Sequence, residues 1–134
     1  MPKESVYRRQ ARANEGTAKA ARLGFPDWAV IMCFYAALHW INDYALRQGK
    51  KIYDSDVSDS SQHSARRKYV KKLARDNKWG DLQDAYQTLY QASMTARYLE
   101  DLEGKDITAI EHYAKYGVDF AFKCLEIIKN RLED

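Results

Sequence analysis

Seven residues of this chain carry polar chemistry at positions where helical spacing sets them among apolar neighbours: Tyr35, His39, Asn42, His63, Arg66, Ser93 and Arg97. At 100° per residue, Trp28, Tyr35, His39 and Asn42 share one aromatic and polar stripe of a helix whose other stripe is ordinary core. Taking Arg66 as zero on its own helix, Tyr69, Val70 and Leu73 fall within about 60° of it, so its guanidinium starts from the apolar face. His63 lies one turn earlier, at the margin of that face. Ser93 falls at the centre of a third apolar stripe and Arg97 at its border. An inward guanidinium is costly unless it meets a carboxylate, carbonyl oxygens or an anion. Arg66 is therefore the most informative residue of the set.

Cations and hydrogen-bond donors dominate this group, and only Asp43 supplies a carboxylate near it. A pair of carboxylates for acid–base work is not offered, nor is a metal set such as Glu-x-x-His. No Gly-rich phosphate loop, Walker-type segment or nucleophile elbow is present, and no cofactor is implied. Two histidines with two arginines suit a bound phosphate or another anion. They also suit metal-independent phosphodiester cleavage, with His63 or His39 moving the proton and Arg66 and Arg97 stabilising the developing charge. The competing reading is an internal network that fixes helix register. There the histidines bond Ser93, tyrosine hydroxyls and backbone carbonyls, and the arginines pair with an acid such as Asp43.

These positions need long helices to hold them. The run from Ala29 to Leu38 is ten consecutive non-polar residues, which a helix carries only when other helices wrap it. It begins with Asp27 as expected N-cap and closes at Gly49. A first helix is expected from Glu4 to Arg22, with Val6, Ala13, Ala20 and Leu23 as its apolar edge. Residues 49–59 read as a polar loop, the best candidate for a mobile segment near a site. A third helix is expected from Ser60 or Ser61 to Asp76, and a fourth, capped by Asp81, to Leu99. Thr108 and Glu111 form a capping box that opens a fifth helix running to Leu132. No segment alternates as a strand. The expected fold is all-α: residues 1–134 as a single domain, an up-and-down bundle of four long helices plus a leading N-terminal helix. Val118, Phe122, Leu125 and Leu132 make a second apolar strip on the last helix, which predicts a homodimer surface.

Charge is unevenly spread. Residues 62–80 hold seven Lys/Arg against one acid, whereas residues 81–134 hold six against eleven. Arg67, Lys68, Lys71, Lys72 and Arg75 share the solvent side of the third helix, and Arg8, Arg9 and Arg12 crowd the first. This is a generic polyanion signal. Cys33 and Cys124 lie in apolar helical patterns, away from metal or CxxC spacing, as small buried hydrophobes of a reducing compartment. The charged N-terminus and the shortness of the apolar run speak against a signal peptide or membrane span, so the expected location is cytoplasmic.

Three segments, Asp27–His39 (DWAVIMCFYAALH), His63–Val70 (HSARRKYV) and Tyr86–Tyr98 (YQTLYQASMTARY), resemble small prokaryotic proteins of the HEPN superfamily (higher eukaryotes and prokaryotes nucleotide-binding). The resemblance covers about residues 27–99 and, by helix pattern, the last helix. It implies a four-to-five-helix bundle that commonly dimerises. Some members are RNA-cutting toxins or defence effectors, and others are non-catalytic partners of nucleotidyltransferases or binding domains. The nuclease members carry an Arg, then four to six residues, then a His, on the last helices and facing the dimer cleft, and none of His39, His63 and His112 has an Arg at that spacing. The resemblance thus implies binding of RNA or nucleotide phosphate, or pairing with a nucleotidyltransferase-type protein, over inherited catalysis. A ribonuclease built differently and a purely structural interaction module are the alternatives.

Overall fold

The computed structural model describes residues 4–50, 52 and 59–134, the side chains of Asp59 and Ser60 excepted. The loop expected to be mobile falls largely outside these residues. Among the described residues all regular structure is helical, as α1 (Val6–Ala21), α2 (Pro26–Arg47), α3 (Asp59–Asn77), α4 (Gly80–Tyr98), α5 (Ala109–Lys115) and α6 (Val118–Leu132). The all-α bundle is as expected, with α1 leading and α2, α3, α4 and α6 as its long members.

The apolar run of α2 forms the axis. Val30, Phe34, Trp40 and Ile41 are sealed from solvent, and α1, α4, α5 and α6 pack around them. Asp27 does not cap this helix. Pro26 occupies the first turn, where its missing N–H costs nothing, and Phe25 stands at the cap position without a side-chain bond. At the other end Gly49, at φ 75°, turns the chain so that the Lys50 amide donates to the Ala45 carbonyl at 2.8 Å.

In α1 the buried residues are Ala11, Glu15 and Ala18. The expected edge is on the opposite side, with Val6, Ala13, Ala20 and Leu23 all exposed. Small side chains are the reason, since alanines let α1 lie close along α2 where larger residues would hold it off. In α4 the N-cap is Trp79, and Asp81 instead accepts from the Leu82 amide at 2.9 Å and from Arg131 at 3.1 Å.

The capping box of Thr108 and Glu111 is formed, but the helix it opens is not continuous to Leu132. Tyr116 is extended and Gly117 takes φ 93°, a left-handed conformation that costs a β-carbon-bearing residue. A β-carbon there would also stand 3.2 Å from Tyr113 Cε1. The strip expected to be surplus on this helix is occupied within the chain. Leu125 and Leu132 are fully buried, Val118 and Phe122 pack against the core, and Arg22 lies over the Phe122 ring at 4.9 Å.

The helix directions follow from who meets whom. Tyr44, late in α2, touches Trp79 at the start of α4, while Tyr35, earlier in α2, meets Arg97 near the end of α4. These two helices are antiparallel. α3 and α4 form a tight antiparallel hairpin, in which His63 faces Tyr90. It follows that α2 and α3 run the same way, as the pairs Phe34–His63, Asn42–Arg66 and Lys50–Tyr69 show in sequence. Simple up-and-down alternation is interrupted at that one junction. The arrangement leaves the seam between α3 and α4 on the surface.

Candidate functional site

The seven polar positions resolve into a buried pair, an exposed-edge group and one outlier. Arg66 is 4% exposed, as its helical spacing demands, and its Nε donates to Asn42 Oδ1 at 3.2 Å. Its Nη1 lies 3.4 Å from His63 Nδ1. A guanidinium can only donate, so this contact is a hydrogen bond when Nδ1 is the unprotonated ring nitrogen. Phe34 and Tyr90 flank the His63 ring at centroid distances of 6.0 and 6.1 Å.

Arg97 is the penultimate residue of α4 and reaches sideways. Its Nη1 donates to the Tyr35 hydroxyl at 3.0 Å, its Nη2 to Ser93 Oγ at 3.2 Å, and its Nε to the Ser93 carbonyl at 3.3 Å. Ser93 is sealed and donates its own proton to the Tyr90 carbonyl at 2.8 Å, so it positions Arg97 and faces no ligand. The guanidinium carbon lies 5.6 Å from the Tyr35 ring centre and 5.2 Å from that of Tyr98. Among the described residues no carboxylate stands within ion-pair distance of Arg97.

His63 joins the two groups. With Tyr35, Arg67, Tyr90, Met94, Arg97 and Tyr98 it lines a cavity of about 310 Å³ at the end of the α3–α4 seam. Arg67, Tyr90, Met94 and Tyr98 were not placed there by helical spacing. Arg67 belongs to the solvent side of α3 considered alone, yet its guanidinium carbon rests 4.9 Å from the Tyr90 ring centre. The missing signal was the pairing of helices. Residues 63 and 67 lie one turn apart on α3, as do 90, 94 and 97 or 98 on α4, and an antiparallel hairpin brings those two edges together.

His39 does not join this cavity. Its ring stacks on Tyr7 of α1 at 6.2 Å and 16°, and burial, aided by the positive charge of Arg66, pushes its pKa down to about 4. It is neutral near pH 7, and of the two alternative proton carriers only His63 lines the cavity with Arg97. Asn42 is likewise internal, spent on Arg66.

Asp43, the acid expected to neutralise the inward arginines in a purely internal network, is engaged elsewhere. It is 1% exposed, accepts from Ser5 Oγ at 2.6 Å, and pairs with Arg8 at 3.3 Å and Arg47 at 3.0 Å. Arg8 also stacks on Trp40 and donates to the Glu133 carbonyl, and Arg12 pairs with Glu4. The basic cluster of α1 is thus largely internal or paired. By contrast Arg67, Lys68, Lys71, Lys72 and Arg75 are all exposed, and among the described residues only Arg75 has an acidic neighbour, Asp76 at 3.3 Å.

Both cysteines are buried, and burial pushes the Cys33 thiol up to about 12, which leaves it unreactive as a nucleophile. Among the described residues no group of His, Cys, Asp or Glu is arranged to hold a metal ion, and no helix is long and apolar enough to cross a membrane. No protein-family model, curated protein or solved structure matches the chain.

Proposed function

We propose that this chain is a HEPN-like helical domain that binds nucleic acid or nucleotide phosphate in the cavity at the end of the α3–α4 seam. One observation carries the reading. Two guanidinium groups, Arg67 and Arg97, border one tyrosine-walled cavity, and neither has a carboxylate partner among the described residues. Charge-assisted bonds from arginine to phosphate supply the attraction. Tyr35, Tyr90 and Tyr98 offer ring faces on which an unpaired base stacks. Arg97 is pre-oriented by Tyr35 and Ser93, so little freedom is lost when an anion arrives. The lysine-rich face of α3 continues the positive surface beyond the cavity.

The test is fluorescence anisotropy with a labelled hexauridylate RNA. The logarithm of affinity is expected to fall linearly with the logarithm of salt between about 50 and 200 mM. Arg97→Gln is expected to weaken binding by about tenfold or more. A flat salt response together with unchanged binding by Arg97→Gln overturns the reading.

A ribonuclease is the second reading, favoured by the position of His63 on the wall of the cavity that Arg67 and Arg97 also line. His63 would take the proton of the attacking 2′-hydroxyl as the new P–O bond forms, the imidazolium so made would return it to the 5′-oxygen as that P–O bond breaks, and the arginines would stabilise the phosphorane charge. Single-stranded RNA incubated with EDTA, with His63→Ala as control, decides it. Equal, negligible cleavage by both proteins removes catalysis and leaves binding.

A further inference from the structure

A second hollow, about 320 Å³ in volume, opens on the same seam one helical turn further along α3. Arg67 belongs to both hollows. Lys68 and Lys71 line it from α3, and Gln83 and Gln87 supply side-chain amides from α4. No carboxylate borders it, and none of its three cations has an ion-pair partner among the described residues.

Tyr86 provides the second, independent sign. It lines this hollow, is 1% exposed, and its buried hydroxyl has no hydrogen-bond partner among the described residues. A sealed hydroxyl left unbonded costs free energy, which a ligand oxygen recovers when the side chain shifts toward the hollow. Burial raises the phenol pKa, so the group stays a proton donor at any ordinary pH. The two hollows also differ in kind. Three tyrosines and a methionine stand beside the cations of the first, whereas one sealed tyrosine, two amides and two ammonium groups line the second. The first therefore suits a base with its phosphate, and the second suits a phosphate alone.

We propose that the second hollow is a phosphate subsite, so that the α3–α4 seam holds two consecutive phosphates of one single nucleotide strand. The inference rests on the binding function proposed above and adds the length of its ligand. Arg67 and Lys71 are four residues apart, about 6 Å of helix rise, a step comparable to that between neighbouring phosphates of an extended strand. Arg67 bridges the two phosphates.

The experiment compares uridine 5′-monophosphate with the dinucleotide 5′-pUpU, each titrated into the full chain by calorimetry at fixed low salt. The dinucleotide is expected to bind about tenfold tighter in the wild type. In the double variant Lys68→Gln/Lys71→Gln that ratio is expected to fall to about threefold or less. Tyr86→Phe keeps the ring in the core and removes only the unbonded hydroxyl. It is expected to lower the ratio while leaving resistance to urea equal or higher, a combination that a merely structural role does not produce. Equal affinity of both probes in the wild type, or a ratio untouched by the lysine substitutions, overturns the inference and leaves the first cavity standing. Failure of both probes to bind overturns the proposed function as well.

Discussion

Arg97 of α4 and Tyr35 of α2 are joined twice over: the guanidinium donates to the phenol oxygen at 3.0 Å and its carbon lies 5.6 Å from the centre of the same ring. With Ser93, this tyrosine fixes where the cation sits and how its plane is turned. Among the described residues the charge itself meets no carboxylate.

Tyr35→Phe keeps the ring face and removes the acceptor. Hexauridylate affinity is expected to drop by about three- to tenfold, because Arg97 then has to be ordered by the ligand itself. Arg97→Lys is expected to weaken binding at least as much, since an ammonium cannot reproduce the planar fork. Anisotropy at constant salt measures both. Wild-type affinity in Tyr35→Phe would mean that the bond between these residues orients nothing of use.

His39 imposes a pH dependence on stability. Its pKa is about 4 in the folded chain against about 6.5 when unfolded, so below pH 6.5 the unfolded chain takes up the proton first. Its contribution is fully present above about pH 6.5 and is lost as pH falls toward 4, by up to about 3 kcal/mol. Urea midpoints measured from pH 7 down to pH 4 are expected to fall less steeply in His39→Gln than in the wild type. Parallel curves would mean that His39 is protonated within the fold at little cost.

Gly117→Ala tests the break between α5 and α6. The left-handed backbone and the 3.2 Å approach to Tyr113 predict a loss of about 1–2 kcal/mol in urea unfolding. Unaltered stability would show that the last two helices can realign as one.

Patterns within a single helix were legible in the residues, and relations between helices were not. Arg66 could be placed inward because three apolar neighbours share its face, and the capping box at Thr108 announced its helix directly. Arg67 is exposed, as its spacing predicts, but a helical wheel contains no neighbouring helix and so does not show Tyr90 beside it. The face of α1 was misjudged for a related reason. Hydrophobicity pointed to Val6 and Leu23, while the close fit against α2 selected alanines. The interruption at Gly117 was hidden because the apolar spacing continues on both sides of it. Asp43 stands near the polar stripe, but nothing in its own helix tells which arginines arrive from elsewhere.

The clasp around Asp43 has a consequence for how the molecule loosens. Ser5 and Arg8 reach it from the start of α1, and those same arginines, Arg8 and Arg47, hold the carbonyls of Glu133 and Leu132. First and last helices are thereby tied at one pole through a single sealed carboxylate. Neither can peel away without uncovering a charge, so fraying is suppressed at the very ends where helical proteins ordinarily begin to exchange their amide hydrogens.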